Sequence, residues 1–523
     1  MRLILSCAAA VLVLAGCATD AGAPETATTS PGAAPGATGA PVPPPLVPAM
    51  PLPENAVDNA VAKLDGIAEQ LLQTSGVPGM AVAVVHGGKT VYAKGFGVRD
   101  IRTGEAVDPD TVFQLASLSK PVSATVTARA VDAKTVGWDT PVAEKLPWFA
   151  LSDPAVTRML TIGDLFSHRS GLPDHAGDQL EDIGYDRRAV LEKLRQLPLD
   201  PFRISYAYTN FGLTAGAEAV AAAAGEPWEQ LAQESLFGPL GMTSTSYRFS
   251  DYQGRQNRAV GHIRVAPGDY QPRYTRDPDA QSPAGGVSSS VNDMARWMSM
   301  VLAEGRPLMQ PASLLPALTP QIVSSPGSEP AMRSGFYGYG FNLSTTAAAR
   351  TEASHSGAFQ LGAGTNVLLL PSADVGIIAL TNGTISGVPE ALTAQFADLV
   401  QFGEVREPWY DLYSARMLPM SDPVGSLVGK TPPADPAPAQ LLSSYVGTYR
   451  NDFWGPATVS ERDGKLFLGM GPRGDSFELT HWDGDVFTFS FVTENAPPGT
   501  ISAATFDGAK LTLEYYDDAV FLR

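Results

Sequence analysis

The sequence predicts an α/β (α+β) chain: one antiparallel sheet assembled from both ends of a long middle region, a helical insertion between them, and a small all-β unit at the end. Three observations carry this. Strand-like runs open the middle region and return at its close. The stretch from about 118 to 300 is instead rich in alanine and helix-like runs, broken by Pro and Gly loops. Beyond Leu441, short alternating runs are separated by Asp-Gly pairs at 463, 483 and 507, a strong hairpin signal.

The elements follow in chain order. Val57, Val61, Leu64, Ile67 and Leu71 recur at helical spacing and predict one amphipathic helix. Met80–Val85 and Thr90–Ala93 flank Gly87-Gly88 as strand, turn and strand. Strands return at Tyr339–Leu343, Thr365–Leu370 and Val375–Leu380, and helical sequence runs from Pro389 to Gln401. In the tail, Leu466–Leu468, Val486–Phe491 and Leu511–Tyr515 predict a small antiparallel barrel or sandwich. The Pro-rich stretch Thr431–Pro438 sets this tail apart as an independent unit.

Composition narrows the function. The 523 residues are 44% hydrophobic and 17% charged, enough to fill a large core. Lys plus Arg total 36 against 54 Asp plus Glu, a net charge of −18 that repels phosphate and argues against nucleic-acid partners. Both cysteines lie in the first 17 residues. There Arg2 precedes an apolar run, Leu3–Gly16, too short to span a bilayer but right for a signal peptide. The run ends in Leu14-Ala15-Gly16-Cys17, which resembles the lipobox of bacterial lipoproteins. That resemblance implies cleavage before Cys17, lipidation of its thiol, and an exported lipoprotein of the bacterial cell envelope, facing the periplasm from the outer membrane. Cys7 would leave with the signal, so no thiol would remain for catalysis or a disulfide. The expected organisation is a signal at 1–17, a disordered Pro/Ala/Gly-rich tether at 18–53, a main domain at 54–415, a Pro-rich linker at 416–440 and the β-unit at 441–523.

Several chemistries are absent from the sequence. There is no Gly-x-Ser-x-Gly elbow and no His-Glu-x-x-His, and Gly88-Lys89-Thr90 lacks the earlier glycine of a phosphate loop. His168, Asp174, His175 and Asp178 form a polar cluster that reads as a loop around Gly171-Leu-Pro173 rather than a metal site; no metal and no cofactor are expected.

One constellation remains. Ser117-Leu-Ser-Lys120 is the only Ser-x-x-Lys of the chain and opens a helical run, where residues three apart share a face. Tyr208-Thr-Asn210 is the second element; its copy Tyr449-Arg-Asn451 falls in the β-unit, and Ser290-Val-Asn292 reads as a helix N-cap. Tyr206 reads as a wall or core residue. His355-Ser-Gly357, just before a strand, is the third element, whereas His86-Gly-Gly88 sits in a hairpin turn.

In this order the trio resembles the serine β-lactamase and penicillin-binding-protein superfamily, on its class C β-lactamase, DD-peptidase and esterase side. The likeness runs from about Asn55 to Tyr410 and includes Gly95-Phe-Gly97, Ser167–Pro173, Pro239–Met242 and Pro283–Gly286. The tail, opening Tyr445-Val-Gly-Thr-Tyr449, is similar to lipocalin-like domains that follow some members.

The resemblance implies a sheet between helices beside an all-helical part, and a serine hydrolase acting through an acyl-enzyme on amide or ester bonds, including peptides with D-residues. Ser117 would be the nucleophile, with Lys120 and Tyr208 as its bases, a lysine cation beside a tyrosine phenolate. Asn210, His355 and Gly357 would bind substrate, and the N–H groups of Ser117 and Ala358 would form the oxyanion hole. His355 stands where many β-lactamases carry lysine, which implies a carboxylate grip that weakens above neutral pH. A carboxylesterase or weak β-lactamase on the same site is the alternative, and an inactive envelope-anchored binding protein is the alternative of another class. The partners implied are a small-molecule or peptide substrate and, through Cys17, a membrane.

Overall fold

A computed structural model describes residues 44–523; the Leu14–Cys17 motif, Cys7 and tether residues 18–43 lie outside the described residues. Pro44–Leu46 forms a 3₁₀ turn.

From Val47 onward the centre is a strand, β1 (Gly79–His86), with the hairpin partner β2 (Lys89–Asp100) on one side. The other strands of this sheet are β3 (Glu105–Ala106), β4 (Ile322–Ser325), β5 (Gly335–Tyr337), β6 (Asn342–Thr345), β7 (Thr351–Phe359), β8 (Ala363–Leu370) and β9 (Val375–Thr381). They lie in the order β3-β2-β1-β9-β8-β7-β6-β5-β4, all antiparallel. Met80 opposite Thr381 joins the two ends of the region into one sheet, as the strand pattern predicts.

Strand alternation explains why β1 is apolar throughout. Ala81, Ala83 and Val85 enter one core with Val122 and Val126 of α3 (Ser119–Asp132) and Trp297 of α5 (Val291–Leu302). Met80, Val82 and Val84 enter a second core with α1 (Ala56–Val61), α2 (Leu64–Ser75) and α6 (Val388–Phe402). A strand covered on both faces has no polar side. Helix α4 (Asn210–Ala224) packs beside α3 in the helical insertion. Ser290 caps α5, its hydroxyl accepting from Asp293 N at 3.3 Å.

Two local expectations change. The single helix over Val57–Leu71 is two, because the chain makes a tight turn at Lys63, whose Nζ bonds Gly403 O at the end of α6 (3.2 Å). The strand expected at Tyr339 begins only at Asn342, because Tyr339 stacks on Trp138 with ring centroids 4.4 Å apart.

The tail is a closed antiparallel barrel whose strands pair in sequence order, the last returning to the first through Arg450 opposite Leu522. Asp463-Gly464, with φ of 52° and 72°, makes the two-residue turn that the Asp-Gly signal predicts. The barrel does not stand apart from the main domain, however. Tyr185 Oη donates to Trp454 O (3.2 Å), Lys193 Nζ to Asp452 O (2.9 Å) and Gln179 Nε2 to Tyr515 O (3.0 Å). Leu180 and Ile183 share one hydrophobic core with Trp454 and Met470. The linker is tied down as well: Val424 N donates to Thr500 Oγ1 (3.1 Å) and Gln360 Nε2 to Met420 O (2.6 Å). A Pro-rich composition marks the linker, yet these bonds hold it in place.

Candidate active site

Ser117 sits in a 3₁₀ turn, Ala116–Leu118, immediately before α3. The turn is pinned on both sides: Leu115 N donates to Val287 O (2.8 Å), and Ser119 Oγ donates to Ala116 O (2.7 Å). Ala116 holds φ at 49°, a conformation that costs an alanine about 1 kcal/mol and is retained beside the serine. Pro121 falls in the first turn of α3, where no intrahelical N–H is needed.

Lys120 follows one helical turn later and is wholly buried. Its Nζ donates to Ser117 Oγ (3.0 Å), Asn210 Oδ1 (2.7 Å) and Ala284 O (3.0 Å), and lies 4.5 Å from the centre of the Tyr208 ring. Burial pulls its pKa down to about 7, against the opposing charge of Asp178. Burial moves the Tyr208 phenol the other way, well above its usual value, with Ser117 offsetting part of the shift. The expected lysine cation beside a tyrosine phenolate is therefore reversed. Near neutral pH the group that gives up its proton is Lys120, and Tyr208 keeps its own.

Tyr208 is set by its neighbours. His175 N donates to Tyr208 O (2.7 Å), Thr209 N donates to His168 Nδ1 (3.2 Å), and the His168 ring lies 4.6 Å from that of Tyr208. Tyr206 packs on His168 and Tyr337, a wall residue as expected. Asn210 opens α4 and uses both ends of its amide: Oδ1 accepts from Lys120, and Nδ2 donates to Asp178 Oδ2 at 2.8 Å. Asp178 Oδ2 also meets His175 Nδ1 at 2.8 Å, which raises the His175 pKa. The polar cluster of the sequence is thus divided. His168 backs Tyr208, while His175 and Asp178 continue the chain from Ser117 through Lys120 and Asn210. Among the described residues no group of three His, Cys, Asp or Glu side chains is arranged to hold a metal.

The third motif lies on β7, which pairs with β6 only over Thr351–Ser354 and so leaves its later edge facing the Ser117 turn. Gly357 is required there. A Cβ would come within 2.2 Å of Leu115 O and 2.8 Å of Leu118 N. Gly357→Ala should push the strand off the turn and lower kcat/KM for p-nitrophenyl acetate about a hundredfold, the cost of misplacing reacting groups by about 1 Å. Wild-type kinetics in that variant would show that the turn yields instead. Ala358 is the next residue along this edge and pairs with Gly364 of β8.

His355 corrects the sequence reading. It is 4% exposed, and its Nδ1 lies 2.6 Å from Ser356 O, a group that only accepts. Nδ1 therefore carries the proton, and Nε2 accepts from Tyr337 Oη at 2.9 Å. Burial and the nearby Lys120 charge lower its pKa to about 3. His355 is neutral across the working range, so it offers no charge that fades above pH 7.

These residues line one cavity of about 460 Å³ that holds Ser117, Tyr208, Asn210, His355, Gly357 and Ala358. The reading from sequence brings them together but misses part of the wall. Arg276, Glu390 of α6 and Glu494 and Asn495 of the barrel also line the cavity. The barrel loop is anchored on both sides of it. Thr493 Oγ1 and Asn495 Nδ2 donate to Asp182 Oδ2 (2.6 and 2.9 Å), and Gln360 N donates to Glu494 Oε1 (2.8 Å). The His175-x-x-Asp178 spacing was a usable signal for one wall; nothing local marks Glu494.

A family model described as Beta-lactamase matches residues 64–402, and one described as a domain of unknown function, DUF3471, matches residues 431–515. The chain is 27% identical over 487 residues to "Unguisins hydrolase ungD" of Aspergillus violaceofuscus, covering 83% of this chain and 84% of that one. It is 28% identical over 247 residues to the "D-alanyl-D-alanine-carboxypeptidase/endopeptidase AmpH" of Escherichia coli K12, covering 46% and 61%. It is 26% identical over 377 residues to "Esterase EstB" of Burkholderia gladioli, covering 65% and 94%. A similar fold occurs in the octameric penicillin-binding protein homologue from Pyrococcus abyssi (TM-score 0.59, 19% identity, 87% of this chain and 98% of that one).

Proposed function

Because the chain belongs to the beta-lactamase family and is a serine hydrolase acting on amide or ester bonds, we propose that Ser117 carries the acyl group and Lys120 is its base. The observation that supports this most is Lys120 Nζ, sealed from solvent, 3.0 Å from Ser117 Oγ. Above about pH 7 the amine is neutral and takes the Ser117 proton as Oγ bonds to the carbonyl carbon. The negative oxygen that results is stabilised by the N–H groups of Ser117 and Ala358, on the turn and on the open edge of β7. As the C–N or C–O bond breaks, the proton passes from Lys120 to the leaving group through Tyr208, whose phenol stays protonated. Water then attacks the ester with the same groups in reversed roles. Asn210, bridging Lys120 and Asp178, holds the base in line.

The substrates proposed are peptides, including those with D-residues, in keeping with the name of the Escherichia coli relative. A carboxylesterase on the same site is the second reading, favoured by a neutral His355 that makes no demand for a substrate carboxylate. A fluorophosphonate should label the wild type on the tryptic peptide that holds Ser117, and Ser117→Ala should lose both label and turnover of D-aminoacyl anilides and p-nitrophenyl esters. Normal turnover by Ser117→Ala would overturn the mechanism.

We further propose anchorage through Cys17, supported by Leu14-Ala-Gly-Cys17. Cys17→Ser should move the protein from the membrane fraction to the soluble envelope fraction. Persistence of the variant at the membrane would overturn this.

A further inference from the structure

Among the described residues, the basic side chains at the cavity already face protein partners. Lys120 is held by Ser117, Asn210 and Ala284 when protonated and carries no charge as the neutral base, and His355 is neutral. Arg276, 8% exposed, donates Nη2 to Glu181 Oε2 (2.7 Å) and Nη1 to Asp277 O (2.8 Å), while its Nε faces Glu494 Oε2 at 3.8 Å. His175 stands between Asp178 (2.8 Å) and Asp174 (3.8 Å). Arg276 Nε is a buried N–H without a hydrogen-bond partner, and Glu494 already faces it.

Acidic groups, by contrast, are in surplus. Asp178, Glu390 and Glu494 line the cavity, with Glu181 and Asp182 directly behind. Asp178 is 4% exposed, yet its Oδ1 has no hydrogen-bond partner, and neither has Glu494 Oε2. A buried carboxylate oxygen without a donor is costly, and a charged donor relieves that cost. Burial raises Glu390 to about 7 and Glu494 to about 8, the latter against the opposing charge of Arg276, so a further cation at either would draw it to the carboxylate form.

Resting on the Ser117 chemistry proposed above, we infer that the cavity selects a substrate with a free ammonium group beside the scissile bond and rejects one with a carboxylate there. Asp178 and the barrel's Glu494 are the acceptors. The barrel is thereby part of the specificity wall, since Glu494 reaches the cavity only on the loop held by Asp182 and Gln360.

The test uses the full chain and three matched anilides: D-alanine p-nitroanilide and its N-acetyl and N-succinyl derivatives. Each is read as a substrate and as a competitor of p-nitrophenyl acetate hydrolysis, so a poor substrate still gives an inhibition constant. The free amine should exceed the acetyl compound about tenfold in kcat/KM or in affinity, with the succinyl compound weakest. In Glu494→Gln and Asp178→Asn the amine-to-acetyl ratio should fall toward one, a ratio taken within each variant and so insensitive to partial loss of fold. Equal use of the three compounds by an enzyme whose Ser117-dependent ester hydrolysis is intact would overturn the inference. An unchanged ratio in both variants would overturn the choice of acceptors. Loss of label at Ser117 would instead strike the mechanism on which the inference rests.

Discussion

Lys120→Met is expected to lower kcat/KM for a p-nitrophenyl ester about a thousandfold, within the range a positioned general base contributes. Methionine fills the same buried volume without a charge, so the variant should stay folded and the loss should fall on chemistry. The pH profile separates base from scaffold. With its pKa lowered from the usual 10.5 to about 7, Lys120 is protonated and inactive as a base below that pH and neutral above it. Wild-type kcat/KM should therefore climb from pH 5 and level off above about 7. Tyr208→Phe should slow the reaction yet keep this acidic limb, because the phenol is held well above its ordinary value. Loss of the limb in Tyr208→Phe, or its survival in Lys120→Met, would assign the base to another group.

Ending the chain at Ala437 should remove all fluorophosphonate labelling at Ser117 and leave the protein largely insoluble. Without the barrel, Asp182 loses Thr493 and Asn495, Arg276 loses Glu494, and Leu180 and Ile183 lose the apolar cover of Trp454 and Met470. Stranding buried charges costs several kcal/mol, a large share of the stability of any domain. Consistent with one shared core, the full chain should unfold in a single thermal transition by calorimetry. Two separate transitions, together with a soluble and labelled truncated protein, would show that the main domain folds alone.

What could be read directly from the sequence was what short-range geometry dictates. Ser117 and Lys120 were legible because residues three apart at a helix start meet whatever else the chain does. The Asp-Gly turns and the alternating runs define the barrel because period and turn chemistry act over a few residues. The order Ser-x-x-Lys, Tyr-x-Asn, His-x-Gly placed its members around one cavity only through likeness to a family, since spacing alone says nothing about residues some 90 and 238 positions away from Ser117.

Tertiary structure alone decided the rest, because burial and long-range partners set electrostatics. His355 would titrate near neutrality in isolation; Tyr337, the Ser356 carbonyl and the neighbouring Lys120 hold it neutral. Asn210 has both amide ends taken by Lys120 and Asp178, which no motif announces. Glu494 reads as one more acid in a loop of the tail until the barrel docks and carries it into the cavity. Local sequence determines which groups are present and which neighbours along the chain they touch. Their charge and their aim depend on who else is packed around them, and only the folded chain brings those residues together.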